Sequence, residues 1–120
     1  MNKQQLGALG EQRAIIFLEQ QGFEIVERNW RFGRAEIDII AHDAGTLVFV
    51  EVKTRSSDRF GQPEGFVSAN QETNLINAAD QYCHERSYAG PIRFDIVAIT
   101  KKRNTLNINH FKDAFWSVSD

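Results

Sequence analysis

The sequence has little cysteine and no long apolar run. These two features exclude a disulfide-stabilised protein and a membrane-spanning protein. A single cysteine, Cys83, excludes an internal disulfide and suits a reducing compartment. Residues 1–5 lack the apolar stretch of a signal peptide, and no segment reaches the length of a membrane span. We therefore expect a cytoplasmic protein with no membrane partner. At 120 residues, it should form one domain, 1–120, without needing covalent cross-links.

An excess of basic residues is also missing. The net charge of −2 counts against a constitutive, tight DNA binder, although local charge can differ from the total. The cysteine and the histidines show no spacing typical of a structural zinc site. We interpret Cys83 as a small core residue, and the histidines as ordinary surface or edge residues, at positions His42, His84 and His110.

The most informative stretch is Thr46–Arg55, which has the composition of a buried strand. Side chains alternate between the two faces of a strand, so one face carries three valines and is apolar throughout. The other face begins with Leu47 and Phe49 and ends with Glu51 and Lys53. Charged groups in so apolar a run require partners, because burying an unpaired charge is costly.

A partner strand lies just upstream, over Glu36–His42, and turn residues separate the two runs. We predict an antiparallel hairpin in which His42 is opposite Leu47. The same register places Asp38 opposite Glu51. Like charges directly opposed across strands are destabilising, so this pair makes sense if a cation lies between them. Mg²⁺ or Mn²⁺ is the economical choice, because hard cations take carboxylate oxygens and keep several waters.

The site predicted from the residues therefore contains Asp38, Glu51 and Lys53, with Glu11 added from the flank of the first helix. Such a set suits metal-assisted hydrolysis of a phosphodiester, with the lysine holding the water or stabilising developing negative charge. A purely structural ionic cluster, with Glu36 against Lys53, is the alternative. For Glu11 the alternative is an edge-of-core acid.

The order of elements predicts the fold. A helix, three strands, a second helix and one or two further strands indicate an α+β protein with an antiparallel meander and a parallel crossover strand. We expect a mixed sheet with helices packed on it. The predicted elements are Gln4–Gln21, Phe23–Arg31, Glu36–His42, Thr46–Arg55, Asn70–Arg86, Ile92–Thr100 and a short edge strand over Leu106–Phe111. Gly7 and Gly10 in the first helix indicate either a close approach or a frayed first turn.

The chain resembles two groups of known proteins. The pattern Asp38…Glu51-Val52-Lys53 resembles the PD-(D/E)XK nuclease signature, and Glu11 matches the first-helix acid of Holliday-junction resolvases in that superfamily. Nearly the whole chain also resembles the YraN-like family of small uncharacterised bacterial proteins. The matching blocks are Gly7-x-x-Gly10-Glu11-x-x-Ala14, Arg28-Asn29, Glu36-Ile-Asp38-Ile-Ile, Phe49-Val-Glu-Val-Lys-Thr-Arg55, Ala78-Ala79 and Arg93-Phe-Asp95.

The resemblance implies a restriction endonuclease-like α/β/α sandwich with an αβββαβ core. It implies Asp38, Glu51 and the Val52 carbonyl as metal ligands, Glu11 as a further ligand, direct or through water, and Lys53 as the catalytic lysine. Gln71 stands where the family usually has lysine, and Ala35 replaces the usual glycine. The residues we expect near nucleic acid are Arg28, Arg31, Arg34, Arg55, Arg59 and Gln71.

These features together predict a metal-dependent endonuclease that acts on DNA rather than RNA, for instance on branched or repair intermediates. Two alternatives stay open: a nucleic-acid-binding or partner-binding module that keeps the fold without catalysis, and a purely structural protein. Junction-cutting members of the superfamily act as dimers, so a homodimer is a possible assembly. The apolar tail Phe111–Trp116 would serve either as its interface or as part of a monomer's core.

Overall fold

The computed structural model describes residues 1–56 and 68–115. The first helix starts at an Asn2 cap, where Asn2 and Gln5 exchange side-chain and backbone hydrogen bonds. The second helix starts after a Ser68 cap. In chain order the elements are α1 (Lys3–Gln20), β1 (Glu24–Phe32), β2 (Ala35–Asp43), β3 (Thr46–Arg55), α2 (Ala69–Glu85), β4 (Ile92–Lys102) and β5 (Thr105–Phe115).

The described strands form one mixed sheet in the order β1-β2-β3-β4-β5. Neighbours are antiparallel except β3 and β4, which run parallel and are joined through α2. A parallel pair needs such a crossover, whereas the tight turn between β2 and β3 suffices for a hairpin. The predicted hairpin register is confirmed, because His42 pairs with Leu47 and Ile40 pairs with Phe49.

Each face of the sheet has its own apolar core, which makes the molecule a three-layer α/β/α sandwich. On one face, α1 contributes Ala14 and Leu18, which pack with Val48 and Val50 of β3. On the other face, α2 residues pack around Phe49 of β3. The predicted α+β fold is confirmed, and it is compatible with the restriction endonuclease-like fold.

The last strand is longer than the sequence predicted. It runs over Thr105–Phe115 and pairs with β4 along most of its length, with a register shift between Phe94 and Ile96. Beyond that shift Phe115 is buried and stacks on Phe94, with ring centroids 5.0 Å apart. The described part of the apolar tail therefore completes the core on the α2 face. No helix of the described chain is long and apolar enough to cross a membrane.

Candidate active site

The predicted acid pair lies where the β2–β3 ladder stops. Backbone pairing runs from Asp43 and Thr46 as far as Ile39 and Val50, one position short of Asp38 and Glu51. Instead of a continued ladder, the Val52 N–H donates to Asp38 Oδ2 at 2.8 Å. Asp38 is 9% exposed and Glu51 is 6% exposed. The side chains of the two acids therefore lie together, just beyond the last backbone pair of the hairpin.

Glu51 has two nitrogen donors on one oxygen. Its Oε2 lies 3.1 Å from Lys53 Nζ and accepts a 2.8 Å hydrogen bond from Gln71 Nε2. Gln71 is held in place because its backbone N–H donates to Ser68 Oγ at the start of α2. Gln71 was expected to lie near nucleic acid, and its hydrogen bond to the Glu51 carboxylate was not predicted. A Ser-x-x-Gln spacing was the available signal, since it is typical of a helix N-terminal cap.

The alternative pairing of Lys53 with Glu36 is not the one observed. Glu36 forms an ion pair with Arg31, its neighbour on β1, at 3.0 Å. Lys53 instead contacts Glu51 on its own strand, and its side chain is 19% exposed. The lysine consequently faces the acid pair.

The acids of this site have pKa values above their ordinary ones. Burial, and then repulsion by Glu51, raise the pKa of Asp38 to about 8. Burial also raises the pKa of Glu51, although the Lys53 ammonium opposes the effect. Burial and the Glu36 carboxylate raise the pKa of Glu11. Asp38 and Glu51 interact through their side chains, so the two carboxyls titrate as a pair, and the raised pKa values favour a proton held between them.

A cleft of about 840 Å³ opens onto these groups. The first two turns of α1 form one wall, and the C-terminal half of β3 forms the other. Glu11 forms a side-chain hydrogen bond with the β1 residue Asn29 and interacts electrostatically with Arg28, so α1 and β1 together position it. The lining residues are Lys3, Gln4, Leu6, Gly7, Glu11, Asp38, Glu51, Val52, Lys53, Thr54, Arg55 and Ser56.

Gly10 sets the distance between α1 and β3. A Cβ atom at this position would overlap Thr54 Oγ1, so only glycine allows the helix to lie this close. The predicted close approach is therefore confirmed at Gly10, where the neighbour is a strand side chain. At Gly7, no atom of the described residues beyond its chain neighbours and its own helix backbone lies within 4 Å of the corresponding position, and Gly7 lines the cleft.

The donor set suits a hard divalent cation with few protein ligands. Two buried carboxylates lie together, and each commits one oxygen to the nitrogen donors described above. Among residues 1–56 and 68–115, no three His, Cys, Asp or Glu side chains form a ready metal-binding group. Mg²⁺ commonly takes one or two carboxylates and keeps several waters, so the residues fit that ion better than zinc.

The arginines expected near nucleic acid are dispersed. Arg55 lines the cleft and donates from Nη1 to the Thr54 carbonyl at 3.0 Å. Arg28 acts on Glu11, whereas Arg31 pairs with Glu36 away from the cleft lining. The remaining two are Arg34, exposed in the β1–β2 turn, and Arg59, which lies outside the described residues.

A second buried ionic cluster surrounds Asp95, which is fully buried on β4. Arg93 donates to both of its oxygens, at 2.8 and 2.9 Å, and also to Asp43. His110 Nε2 lies 2.7 Å from Asp95, and the backbone N–H of Asp113 donates to it at 3.1 Å. Burial raises the pKa of Asp95, but hydrogen bonds from His110 and Arg93 outweigh it and leave that pKa below its usual value.

This cluster corrects one prediction. His110 lies on the edge strand β5, but its side chain is only 8% exposed and packs edge-on against Phe17 and Phe23. It is therefore a buried partner and not an ordinary surface residue. Asp95 pairs with the neighbouring Arg93 on β4, an interior strand. Asp95 is absent from the cleft lining.

The fold and the cleft define the class: an α+β protein whose mixed sheet presents two acids and a lysine at the end of a central hairpin. Residues 10–99 match the Uncharacterised protein family UPF0102. The chain belongs to this family, which is the YraN-like family that its sequence blocks resemble.

Relatives match over almost their whole length. A UPF0102 protein of Flavobacterium psychrophilum is 46% identical over 111 residues, 92% of this chain and 93% of its own. A UPF0102 protein of Lawsonia intracellularis is 40% identical over 96% of this chain and 88% of its own. A UPF0102 protein of Caldicellulosiruptor saccharolyticus is 40% identical over 96% of this chain and all of its own length.

Proposed function

We propose that this protein is a metal-dependent nuclease that hydrolyses phosphodiester bonds of DNA, with branched or repair intermediates as its natural substrates. Asp38, Glu51 and the Val52 carbonyl hold Mg²⁺ or Mn²⁺. Glu11 adds a ligand, direct or through water, and Lys53 is the catalytic lysine. One observation carries the proposal: two buried acids lie together beside a lysine, at the wall of an open cleft.

Ionising both acids of the pair costs folding free energy unless a cation binds between them. Two carboxylates together in a buried site cannot both ionise without positive charge between them. Lys53 and Gln71 satisfy one oxygen of Glu51, whereas burial and the Glu51 carboxylate still raise the pKa of Asp38. A bound divalent cation would supply the missing charge, neutralise a phosphodiester oxygen and lower the pKa of a coordinated water.

The position of Lys53 supports its proposed catalytic role. Its side chain lines the cleft beside Glu51, where it would orient the attacking water or stabilise charge that develops on the phosphate. Glu11 faces the same cleft from α1 and would fix the water shell. Removing one such stabilising donor typically slows the chemical step by roughly 10²- to 10³-fold.

The test is cleavage of labelled single-stranded, duplex, flap and four-way DNA by the purified chain with Mg²⁺ or Mn²⁺. Asp38→Asn, Glu51→Gln and Lys53→Met should each abolish or strongly reduce cleavage while the circular dichroism spectrum is retained. Asp80→Asn is the matched control, because Asp80 is an exposed acid on α2. It should cleave like the wild type.

A parallel measurement follows metal binding directly. Mn²⁺ should raise the melting temperature of the wild type and not of Asp38→Asn, since a ligand stabilises only the state that binds it. Metal competes with the shared proton, so the increase should be larger at pH 8 than at pH 6. Metal binding without cleavage of any substrate, or cleavage that survives in Asp38→Asn, would overturn the proposed activity.

A further inference from the structure

One face of the sheet carries polar groups from the candidate site, through Arg55 and Thr100, to the β4–β5 hairpin. Paired residues share a face, and the parallel β3–β4 register pairs Lys53 with Ala98 and Arg55 with Thr100. Side-chain alternation then places Lys102 on the same face as Glu51 and Lys53. The sheet therefore brings together a catalytic-site strand and a basic turn that is distant in sequence.

The strand β5 extends this face with neutral polar side chains. Thr105 pairs with Lys102, Asn107 pairs with Thr100, and Asn109 pairs with Ala98. All three β5 residues are exposed. An open groove of about 440 Å³ lies here, lined by Lys102, Arg103, Thr105 and Asn107. Cations interleaved with hydroxyl and amide groups are the usual phosphate-contacting set of nucleic-acid-binding surfaces.

The hairpin turn is held in a defined shape. Lys101 Nζ donates to the Arg103 carbonyl at 2.6 Å, and β4–β5 pairing continues to the last residues before the turn, Lys102 and Thr105. Arg103, at the tip, has a positive φ of 59°. Arg103 and Lys102 are both exposed. A preorganised turn loses less entropy on binding than a flexible basic tail.

The charge of this region is opposite to that of the whole chain. Between Asp95 and His110 the sequence contains three Lys or Arg residues, all at the hairpin, and no acid, although the net charge is −2. Lys102 lies four residues beyond Ala98, the partner of Lys53, and thus about 13 Å further along the sheet at about 3.3 Å per residue. That distance spans roughly four steps of a duplex strand at about 3.4 Å each.

The geometry points to the β4–β5 hairpin as a second contact for the nucleic-acid backbone, with phosphates bound in the groove of Lys102, Arg103, Thr105 and Asn107 while a phosphodiester roughly four steps away lies in the acidic cleft. This inference rests on the proposed nuclease function for its substrate. It assigns affinity to the hairpin and chemistry to the cleft, so separate measurements test the two.

The experiment measures binding without cleavage. Fluorescence anisotropy of a labelled duplex is recorded with the full chain in EDTA over a range of salt concentrations. Each phosphate contact contributes about 0.9 to the slope of log K against log salt. This corresponds to roughly eightfold in affinity at 0.1 M salt relative to 1 M salt. Lys102→Gln/Arg103→Gln should bind at least about eightfold more weakly than the wild type, with a slope lower by about 1 to 2.

The matched control is Arg13→Gln/Lys112→Gln, which removes the same charge from two exposed cations on α1 and on the opposite half of β5. Its affinity should stay within about twofold of the wild type. Equal losses in the two double variants, an unchanged affinity of the hairpin variant, or no DNA binding by the wild type would overturn the inference. Unchanged DNA affinity with lost binding to phosphatidylglycerol vesicles would overturn it in favour of a membrane surface.

The nuclease function and the hairpin contact can be refuted separately. A wild type that binds DNA through the hairpin but cleaves nothing would leave the inference standing and remove the nuclease function. Conversely, a hairpin variant with wild-type affinity and metal-dependent cleavage would leave only the nuclease function. The melting response to Mn²⁺ should be the same in the hairpin variant and the wild type, because neither hairpin cation lines the acidic cleft.

Discussion

Replacing Asp38 with asparagine should stabilise the metal-free protein, although the replacement alters a buried residue beside the proposed catalytic centre. Asparagine has nearly the same shape as aspartate, and its carbonyl can still accept the hydrogen bond from Val52 N–H. Its amide can also donate to Glu51, which the charged carboxylate cannot do. The substitution thus removes a repulsion and adds a donor without leaving a cavity.

The size of the gain follows from the pKa of Asp38. A rise from 3.8 to about 8 corresponds, at about 1.4 kcal/mol per pH unit, to an upper limit of about 6 kcal/mol at pH 8. Glu51 shares the proton, so part of this cost remains in the variant. We therefore expect a gain of about 1–3 kcal/mol in the free energy of unfolding, or about 4–10 °C in melting temperature for a chain of this size.

The sign of the pH dependence is the sharper test. A carboxyl whose pKa is raised by folding contributes its full stability below the unfolded value of 3.8, and that stability is lost as pH rises towards about 8. The advantage of Asp38→Asn over the wild type should therefore be small near pH 4, grow with pH and level off above pH 8. Urea unfolding in EDTA at several pH values measures it directly.

Asp95→Asn is the matched control, since Asp95 is the other aspartate buried in the described sheet. Its pKa is lowered, and a guanidinium and an imidazole depend on its charge. Asp95→Asn should lose about 2–4 kcal/mol, because it removes the buried charge that accepts from Arg93 and leaves the guanidinium with Asp43 alone as counter-ion. The reasoning is refuted if both variants change stability in the same direction, or if the Asp38→Asn effect is independent of pH.

Three further predictions concern the surroundings of the two sites. Gly10→Ala should lower stability by about 1–3 kcal/mol through overpacking, and Thr54→Ala in the same chain should restore most of the loss in urea unfolding. Arg93→Met should cost about 2–4 kcal/mol at pH 7 and less at pH 3, because protonation of Asp95 then relieves the charge that the variant leaves unpaired, as thermal melts at the two pH values would show. Gln71→Leu should lower stability by about 1 kcal/mol at pH 8 by removing a donor from the cleft, and by less at pH 5, in the same unfolding assay.

The hairpin and its register could be predicted from the sequence because the information there is local. Alternation along Thr46–Arg55 fixes which side chains share a face, and a short turn fixes which residues are opposed. The predicted pairing of His42 with Leu47 is confirmed for this reason. The order of helices and strands likewise predicted the parallel crossover, because few topologies accommodate it.

Contacts between elements distant in sequence could not be predicted in the same way. The hydrogen bond from Gln71 to Glu51 depends on how α2 packs across the sheet, and no periodicity within α2 encodes it. The prediction for His110 was wrong because edge strands are usually exposed, whereas β5 turns this side chain inward onto Asp95. The basic β4–β5 hairpin is typical of a solvated turn in sequence, and only the β3–β4 register relates it to the cleft.

The two buried aspartates show why the cleft is the better candidate for function. Burial is similar, since Asp95 is 0% exposed and Asp38 is 9% exposed. Asp95 receives donors from a guanidinium, an imidazole and a backbone amide, and its pKa falls. Asp38 receives one backbone N–H and lies beside Glu51, and its pKa rises. The same sheet thus compensates one buried charge fully and leaves the other short of positive charge, at the wall of a cleft open to solvent. Uncompensated charge costs stability, so its presence there is explained most simply by a cation that binds during function.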